Sequence, residues 1–582
     1  MYDYSPPIED YRFLLHDVLG FDTAMAELGK DVDAGLAGAV LEEAGRFCAE
    51  KLYPLNRSGD EEGSRLADGV VTTPTGFADA YRELAEGGWV ALSGDPQWGG
   101  QGLPFILQLW LDEMMSATNL SFGLFPGLTR GATEAIAAHA SDELKAIYMP
   151  RLVSGEWTGA MALTESGAGT DLALLRTRAE PKGDGTYAVT GQKIFISSGD
   201  HDFTPNIVHL VLARLPDAPP GVKGISLFLV PKFLADAKGD FTVRNAMSVG
   251  ALEEKMGIHA QPTCVMNYDG ATGWLVGEPN RGLSAMFTMM NAERLMVGIQ
   301  GLGIAGAAYG QAAAYAKERL QGKSADGARG PVPIIDHADV RRMLLTVRGF
   351  VEGARALAGW TALQMDRAHA HPDAAERAKA DALVALLTPV VKAGFTDFGF
   401  ESAVLAQQVF GGHGYIREWG MEQFVRDARI PQIYEGTNGV QAMDLVGRKL
   451  SMGGGAVVED FFATIAADLA EAEKAVGAGD IVRSVEAALD LLREATAELH
   501  AADADGHGAA AVDYLRLFAL VSMGWMWARM TVAAGKGDSP FHVAKLSVAR
   551  FFAARMVPQA RGLAASIAAG AGPIMDLEAD LF

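Results

Sequence analysis

The sequence changes from helical patterns to strand patterns and back again, and this order constrains the fold more than any other feature. Helical patterns dominate up to about residue 158 and again from about residue 282. Between them lie short runs of strand character, separated by Gly, Pro and Asp turns: Tyr187–Ser197, Ile207–Leu212, Ile225–Val230, Thr263–Tyr268 and Trp274–Val276. Because no helical pattern separates these runs, we expect a small barrel or sandwich and not a set of βαβ units.

A second boundary follows the later helical region. The glycine-rich stretch 451–456 has the composition of a linker, and beyond it the chain is Ala-rich and amphipathic, as in Val482–Leu499 and Tyr514–Ala534. With 582 residues the chain is too long for one core. We therefore predict a mainly α fold with a central β domain, in four segments: 1–158, helical; 159–281, β; 282–450, a helical bundle; and 451–582, an additional helical domain.

Composition excludes several classes of function. The net charge of −23 argues against nucleic acid as a partner. Cys48 and Cys264 are the two cysteines and have no metal-binding spacing, so we expect no disulfide framework. We also expect no metal, because His369 and His371 lie in a polar loop and His413 has no partner at ligand spacing. The N-terminus lacks a signal-peptide pattern, and no continuous apolar run reaches the length of a membrane span. These observations predict a soluble, cytoplasmic protein.

One carboxylate has an unusual setting. Ile433, Tyr434, Glu435, Gly436, Thr437 and Asn438 follow one another, and helical spacing resumes directly afterwards. We expect Glu435 on a short turn into a helix, with Gly436 allowing the bend and Thr437 or Asn438 capping the helix. From the residues alone, Glu435 is either an ordinary helix-start acid or a base that becomes stronger when a ligand excludes water.

Three motifs resemble those of flavin-dependent acyl-CoA dehydrogenases. YEGTN lies about twenty residues after GGHGY and just after RDARI, as in the catalytic region of that family. The segments 161–171, MALTESGAGTD, and 191–199, GQKIFISSG, are similar to two further family signatures. The order helical, β, helical is also the family layout. The resemblance covers roughly residues 30 to 450, and the tail resembles an extension of longer bacterial members, including those that act on 3-methylmercaptopropionyl-CoA.

The resemblance implies a role for each matching residue. Glu435 would be the catalytic base, and Glu293 is the rival because some members carry the base there. The FAD contacts would be Thr164, Phe195, Ser197, Arg319, Gln408, Gly412, Thr437 and Asn438, and the substrate contacts Thr170 and Arg294. Gln408 and Gly412 would hold the adenosine half of a neighbouring subunit's FAD, which implies a homo-oligomer, with a dimer favoured. Ser166 replaces a common proline, and Phe195 a common tryptophan.

The reaction implied is the α,β-dehydrogenation of an acyl-CoA thioester with noncovalent FAD. Glu435 would remove the α-proton, a hydride would pass from Cβ to the flavin, and an electron-transfer flavoprotein would accept the electrons. The sequence does not fix the acyl group, and 3-methylmercaptopropionyl-CoA and short- or medium-chain acyl-CoAs are the candidates. An acyl-CoA oxidase and an inactive CoA-binding scaffold are the alternatives.

A dinucleotide-binding pattern is also present but is rejected. Residues 301–306, GLGIAG, fit G-x-G-x-x-G, and Asp326 follows at a suitable distance. No strand precedes them, because 295–316 has the pattern of one helix rich in small residues. We expect these glycines to allow close helix packing.

Overall fold

A computed structural model describes residues 2–328 and 330–582, except for the side chains of Asn291 and Ala292. The chain forms two compact units. We call residues 1–46, 104–117 and 297–582 the helical unit, and residues 47–103 and 118–296 the barrel unit.

The barrel unit is built on a closed ring of five strands. Going round the ring, each strand pairs with the next and the last pairs with the first: Thr263–Val276, Tyr187–Ser197, Arg178–Pro181, Ile207–Arg214 and Ile225–Pro231. The prediction of a small barrel or sandwich is therefore confirmed, and the closed ring makes it a barrel. The two strands expected at 263–268 and 274–276 are one bent strand, because its first part pairs with Tyr187–Ser197 and its last three residues pair with Ile225–Pro231.

Further elements extend this barrel. Thr158–Ala162 runs parallel to Ile207–Arg214, and Met247–Leu252 pairs with Thr263–Val276. Two hairpins were not predicted, Arg65–Ala67 with Val70–Thr72 and Phe233–Ala235 with Phe241–Arg244. The helices are Tyr53–Glu62, Phe77–Glu86, Asp142–Val153 and most of Phe105–His139, which is kinked at Asn119. Apolar side chains from the barrel strands, such as Val189, Val211 and Phe228, fill one core.

The helical unit contains the rest of the helices. These are Ile8–Phe13, Phe21–Glu27, Ala34–Phe47, Ala338–Ala370, Ala374–Pro389, Phe395–Val409, Gly412–Tyr415, Met421–Asp427, Asn438–Asp444, Ala456–Ala472, Gly479–Ala501, Ala504–Ala534, Pro540–Phe551, Gln559–Ala568 and Gly572–Met575, with most of Gly282–Glu318. Short π-helical turns continue several of them, including Val390–Gly394 and Leu445–Lys449. Such turns are often found at functional sites.

Two of the three glycines at 301–306, Gly301 and Gly303, pack helices closely, as predicted. A Cβ at Gly301 would come within 2.6 Å of the Phe395 carbonyl oxygen, and one at Gly303 within 2.5 Å of the Glu113 carbonyl oxygen. Both positions lie inside the helix Gly282–Glu318. The backbones of neighbouring helices therefore approach here at distances that only glycine permits.

The C-terminal segment, residues 451–582, is packed within the helical unit. Gly453, Gly454 and Gly455 all have positive φ and turn the chain into the helix Ala456–Ala472. The long helix Ala504–Ala534 buries Trp525 and Trp527 completely, and the Trp527 indole donates to the Gly349 carbonyl oxygen at 2.9 Å. The glycine stretch is thus a tight turn between packed helices.

A buried ionic cluster also ties the C-terminal segment to the N-terminal helix. Asp10 accepts from both Arg355 and Lys545, Arg355 also pairs with Glu113, and Lys545 lies 3.0 Å from Glu352. Although burial opposes ionisation of Asp10, Lys545 and Arg355 hold its pKa below the usual range. Buried charges need such pairing to be tolerated.

Two helices of the described chain are long and apolar enough to cross a membrane by length and composition, Ala374–Val409 and Ala504–Ala534, with a third candidate in a bent pair, Asn438–Lys449 and Met452–Ala472. The prediction from continuous apolar runs did not include these helices. The apolar windows of the first two are 78% and 89% buried inside the protein, which is typical of core helices.

Candidate active site

Glu435 lies on a sharp turn of the helical unit. The turn follows the 3-10 segment Ile430–Gln432 and leads into the helix Asn438–Asp444. Thr437 is the N-cap, since its hydroxyl accepts from the Val440 N–H at 3.3 Å. The predicted turn and cap are confirmed. The sequence did not reveal that Glu435 itself has a left-handed backbone, with φ of +54°, before Gly436 with φ of +83°. Such strain in a non-glycine residue is often found at functional sites.

Hydrogen bonds from both sides hold this turn. The Tyr434 hydroxyl donates to the Gln300 side chain, and the Gln441 amide donates to the Glu435 carbonyl oxygen at 3.4 Å. Asn438 is tied into the helix Phe395–Val409 and the preceding π-helical turn, where Lys392 donates to its Oδ1 at 2.8 Å. The Glu435 backbone is therefore fixed from several directions, and its side chain is half-buried, with the Oε2 atom buried.

The other predicted cofactor contacts of the helical unit lie around an aromatic cluster. Tyr315, in the last turns of Gly282–Glu318, stacks on Phe410 with ring centroids 4.1 Å apart, and its hydroxyl lies 2.8 Å from the His413 Nδ1. These contacts bring the helix end that carries Arg319 to the turn that carries Gln408 and Gly412. Arg319, Gln408 and Gly412 are all exposed.

In the barrel unit, Thr164 and Thr170 begin and end a tight loop. Glu165 and Ala168 exchange backbone hydrogen bonds at 3.1 and 3.0 Å, and the Thr164 carbonyl oxygen accepts from the Ile194 N–H at 2.9 Å. A Cβ at Gly167 or Gly169 would meet no atom within 4 Å. The loop therefore leaves open space in front of its backbone, and Thr170 is exposed.

Glu165 is a residue of this loop that the sequence analysis missed. Its carboxylate accepts from Lys193 at 2.9 Å, from the Thr177 hydroxyl at 2.6 Å and from the Arg176 N–H at 2.8 Å. Burial opposes ionisation, yet the Lys193 charge and these hydrogen bonds keep the pKa of Glu165 below its usual range. The sequence contained one signal for this ion pair, a glutamate in the first motif and a lysine in the second.

Phe195 and Ser197 both lie on the outside of the barrel, on either side of the buried Ile196. Phe195 is 59% exposed and has φ of +60°, although it lies within a strand. The pairing with Thr263–Val276 shifts its register at this point, which marks a bulge. A strained backbone that presents an aromatic ring to solvent is unfavourable unless another group covers the ring.

The rival base, Glu293, and the predicted substrate contact, Arg294, lie in the barrel unit. Both are buried, and a Cβ added to Gly131 would come within 2.7 Å of the Glu293 Oε1. The Arg294 guanidinium lies over the Phe287 ring, 5.9 Å from its centroid. Glu293 therefore lies within a helix and against a second helix, whereas Glu435 lies on a turn.

Comparison with known proteins identifies the class of this fold. Four domain-family models match consecutive parts of the chain: acyl-CoA dehydrogenase, N-terminal domain, residues 37–156; middle domain, 160–271; C-terminal domain, 280–450; and acetyl-CoA dehydrogenase C-terminal like, 461–578. The chain belongs to the acyl-CoA dehydrogenase family. It is an acyl-CoA dehydrogenase, a flavoprotein oxidoreductase.

Individual relatives match over nearly the whole length. 3-Methylmercaptopropionyl-CoA dehydrogenase of Ruegeria pomeroyi is 43% identical over 95% of this chain and 96% of its own. Butyryl-CoA dehydrogenase of Syntrophomonas wolfei is 34% identical over 89% of each chain. A crystal structure of an acyl-CoA dehydrogenase complexed with FAD from Bacillus anthracis has a TM-score of 0.71 at 19% identity, and covers 95% of this chain and 90% of that one.

Proposed function

We propose that Glu435 is the base that takes the α-proton of an acyl-CoA thioester. The observation that carries this assignment is the left-handed backbone of Glu435 between two anchored residues, Tyr434 and Asn438. A strained, fixed turn sets the direction of the carboxylate before substrate binds. Such preorganisation is what proton abstraction from a weak carbon acid requires.

The residues of each unit fit FAD. In the barrel unit, the exposed ring of Phe195 suits a flat aromatic partner, and the open backbone at Gly167 and Gly169 suits close approach. In the helical unit, the exposed Arg319 suits a diphosphate, and the Gln441 Oε1 is buried with no hydrogen-bond partner among the described atoms. The cofactor is FAD, which supplies the acceptor for the hydride that leaves Cβ.

We assign the remaining predicted contacts in the same way. Thr164, Phe195 and Ser197 hold the flavin ring system, and Thr437 and Asn438 hold the phosphates of their own subunit's FAD. Arg319 holds the phosphates, and Gln408 and Gly412 the adenosine half, of a partner subunit's FAD. Thr170 and Arg294 contact the acyl-CoA. A shared FAD requires at least a dimer, and the electrons leave to an electron-transfer flavoprotein in the cytoplasm. The predicted boundaries 1–158, 159–281, 282–450 and 451–582 are part of this proposal.

We infer that the substrate is 3-methylmercaptopropionyl-CoA or a short-chain acyl-CoA such as butyryl-CoA, because relatives named for these substrates match almost the full chain. Anaerobic mixing of the yellow protein with 3-methylmercaptopropionyl-, butyryl-, octanoyl- and palmitoyl-CoA tests this. The first or second compound should bleach the flavin fastest. Faster bleaching by palmitoyl-CoA would overturn the substrate assignment, and rapid oxygen consumption during turnover would identify an oxidase.

A further inference from the structure

Two side chains on either side of Glu435 meet at a single carboxylate oxygen. Gln432, three residues before Glu435, donates to the Asp397 Oδ1 at 2.6 Å. Asn438, three residues after Glu435, donates to the same oxygen at 2.7 Å. Asp397 thus closes the chain from 432 to 438 into a loop whose centre is Glu435. We call this pair of hydrogen bonds the Asp397 clamp.

The partners of the clamp are themselves held. Arg429 donates to the Gln432 Oε1 at 3.1 Å, which turns the Gln432 amide nitrogen towards Asp397. Lys392 donates to the Asn438 Oδ1 at 2.8 Å, and the Asn438 Nδ2 also donates to the Thr396 hydroxyl at 2.9 Å. Losing the shared acceptor would leave the Gln432 amide without its acceptor, and the Asn438 amide would keep only its bonds to the Thr396 hydroxyl and the Ala393 carbonyl oxygen. That is costlier than the loss of one exposed hydrogen bond.

The C-terminal segment supports the helix that carries Asp397. Arg516, in Ala504–Ala534, donates to both carboxylate oxygens of Glu401 at 2.7 and 2.8 Å. Its guanidinium also lies 4.3 Å from the centroid of the Phe398 ring. In the π-helical turn Val390–Gly394, which precedes the helix of Asp397, a Cβ at Gly394 would come within 2.8 Å of the Ala519 Cβ. The helix Ala504–Ala534 is therefore in close contact with the turn that contains Lys392.

We propose that Asp397 is a positioning residue that holds the Glu435 turn in place for proton abstraction, and that Arg516 of the C-terminal segment supports the helix that carries Asp397. This rests on the proposed function, in which Glu435 is the base. Asp397 touches neither the base nor the reacting atoms, and it acts through Gln432 and Asn438. The C-terminal segment therefore contributes to catalysis as well as to packing.

The experiment measures the rate of flavin bleaching after anaerobic mixing of the full-length holoenzyme with 3-methylmercaptopropionyl-CoA or butyryl-CoA, whichever the wild type oxidises faster. We expect Asp397→Ala to lower the bleaching rate about 10- to 100-fold, since small displacements of a catalytic group have effects of this size. The Kd for the acyl-CoA should not change. Asp397→Asn keeps an acceptor oxygen and should recover most of the rate.

Two further variants test the support from each side. Gln432→Leu removes one of the two hydrogen bonds to Asp397 and should lower the bleaching rate about tenfold. It replaces Asp397→Ala as the test if Asp397→Ala does not fold. Arg516→Ala should lower the rate less. Arg483→Ala is the matched control, because Arg483 forms an exposed pair with Asp480 in the same segment and should leave the rate unchanged.

Each outcome has one meaning. A wild-type bleaching rate in folded Asp397→Ala, or in Gln432→Leu, overturns the clamp, and so does a loss that appears only in the Kd or in FAD content. Glu435→Gln in the same assay distinguishes a wrong positioning role for Asp397 from a wrong assignment of the base. If Glu435→Gln bleaches at the wild-type rate, the assignment of the base is wrong. If it does not bleach while Asp397→Ala does, only the positioning role is wrong.

Discussion

The Lys193 ammonium lies 2.9 Å from the Glu165 Oε1, and the Lys193 side chain is completely buried. This ion pair joins two neighbouring motifs of the barrel unit, the loop with Thr164 and Thr170 and the strand with Phe195 and Ser197. Lys193 also donates to the Leu163 carbonyl oxygen at 2.9 Å. Lys193 therefore helps to fix the relative position of the two proposed flavin-binding motifs, beside the backbone bond from the Ile194 N–H to the Thr164 carbonyl oxygen.

Lys193→Met should destabilise the protein by about 3 to 5 kcal/mol, because it leaves the Glu165 carboxylate buried without its cation. Urea unfolding followed by circular dichroism measures this change. The control is Lys182→Met, since Lys182 contacts Thr272 on the exposed side of the same unit. Equal unfolding midpoints for Lys193→Met and Lys182→Met would show that the ion pair does not hold the motifs.

Asp366 gives a pH dependence of stability. Its carboxylate accepts from the Phe105 N–H at 2.8 Å, and burial raises its pKa from 3.8 to about 6. The folded state therefore binds a proton more tightly than the unfolded state, so this contribution to stability is present below pH 3.8 and is lost as the pH rises to about 6. Asp366→Asn keeps an acceptor and should flatten the stability profile between these values. An unchanged profile would contradict the raised pKa.

Arg319→Ala should weaken FAD binding about 10- to 100-fold without unfolding the chain, because a charge-assisted hydrogen bond to phosphate is lost. Flavin content after dialysis at low FAD concentration measures this. Arg342→Ala is a suitable control, since Arg342 forms an exposed pair with Asp339 on the following helix. Equal flavin retention in the two variants would remove Arg319 from the cofactor site.

Removing residues 456–582 should destroy the helical unit and not yield a smaller active enzyme. Trp360 loses its contact with Trp525, whose ring centroid lies 5.0 Å away, and Asp10 loses Lys545. Exposed apolar surface and an uncompensated buried charge both follow. A truncated chain that is soluble, binds FAD and turns over at the full rate would contradict this account.

The sequence predicted the parts that depend on local pattern. The bounds of Tyr187–Ser197 were correct to the residue, and Thr437, one of the two residues expected to cap, caps the helix after Glu435. These features follow from alternation, helical spacing and capping chemistry, which act over a few residues. The prediction that the motifs belong to one flavin site rested on the resemblance to a family.

Long-range features could not be predicted. Asp397 and Gln432 are 35 positions apart, and nothing in the residues around Asp397 shows that its oxygen receives two donors. The left-handed backbone of Glu435 also escaped prediction, because local propensity places glycine in that region and the neighbouring Gly436 already provided one. Tertiary contacts impose both features, and a single sequence contains no record of them.

The role of Glu435 as the base is tested most directly by comparing Glu435→Gln with Glu293→Gln. Glutamine keeps the shape of each side chain but cannot accept the α-proton. After anaerobic mixing with a reducible acyl-CoA, we expect Glu435→Gln to bleach its flavin about 10²- to 10⁴-fold more slowly than the wild type, with FAD content and substrate Kd nearly unchanged. Glu293→Gln should lose far less. Rapid bleaching in Glu435→Gln together with a deep loss in Glu293→Gln would show that Glu293 is the base.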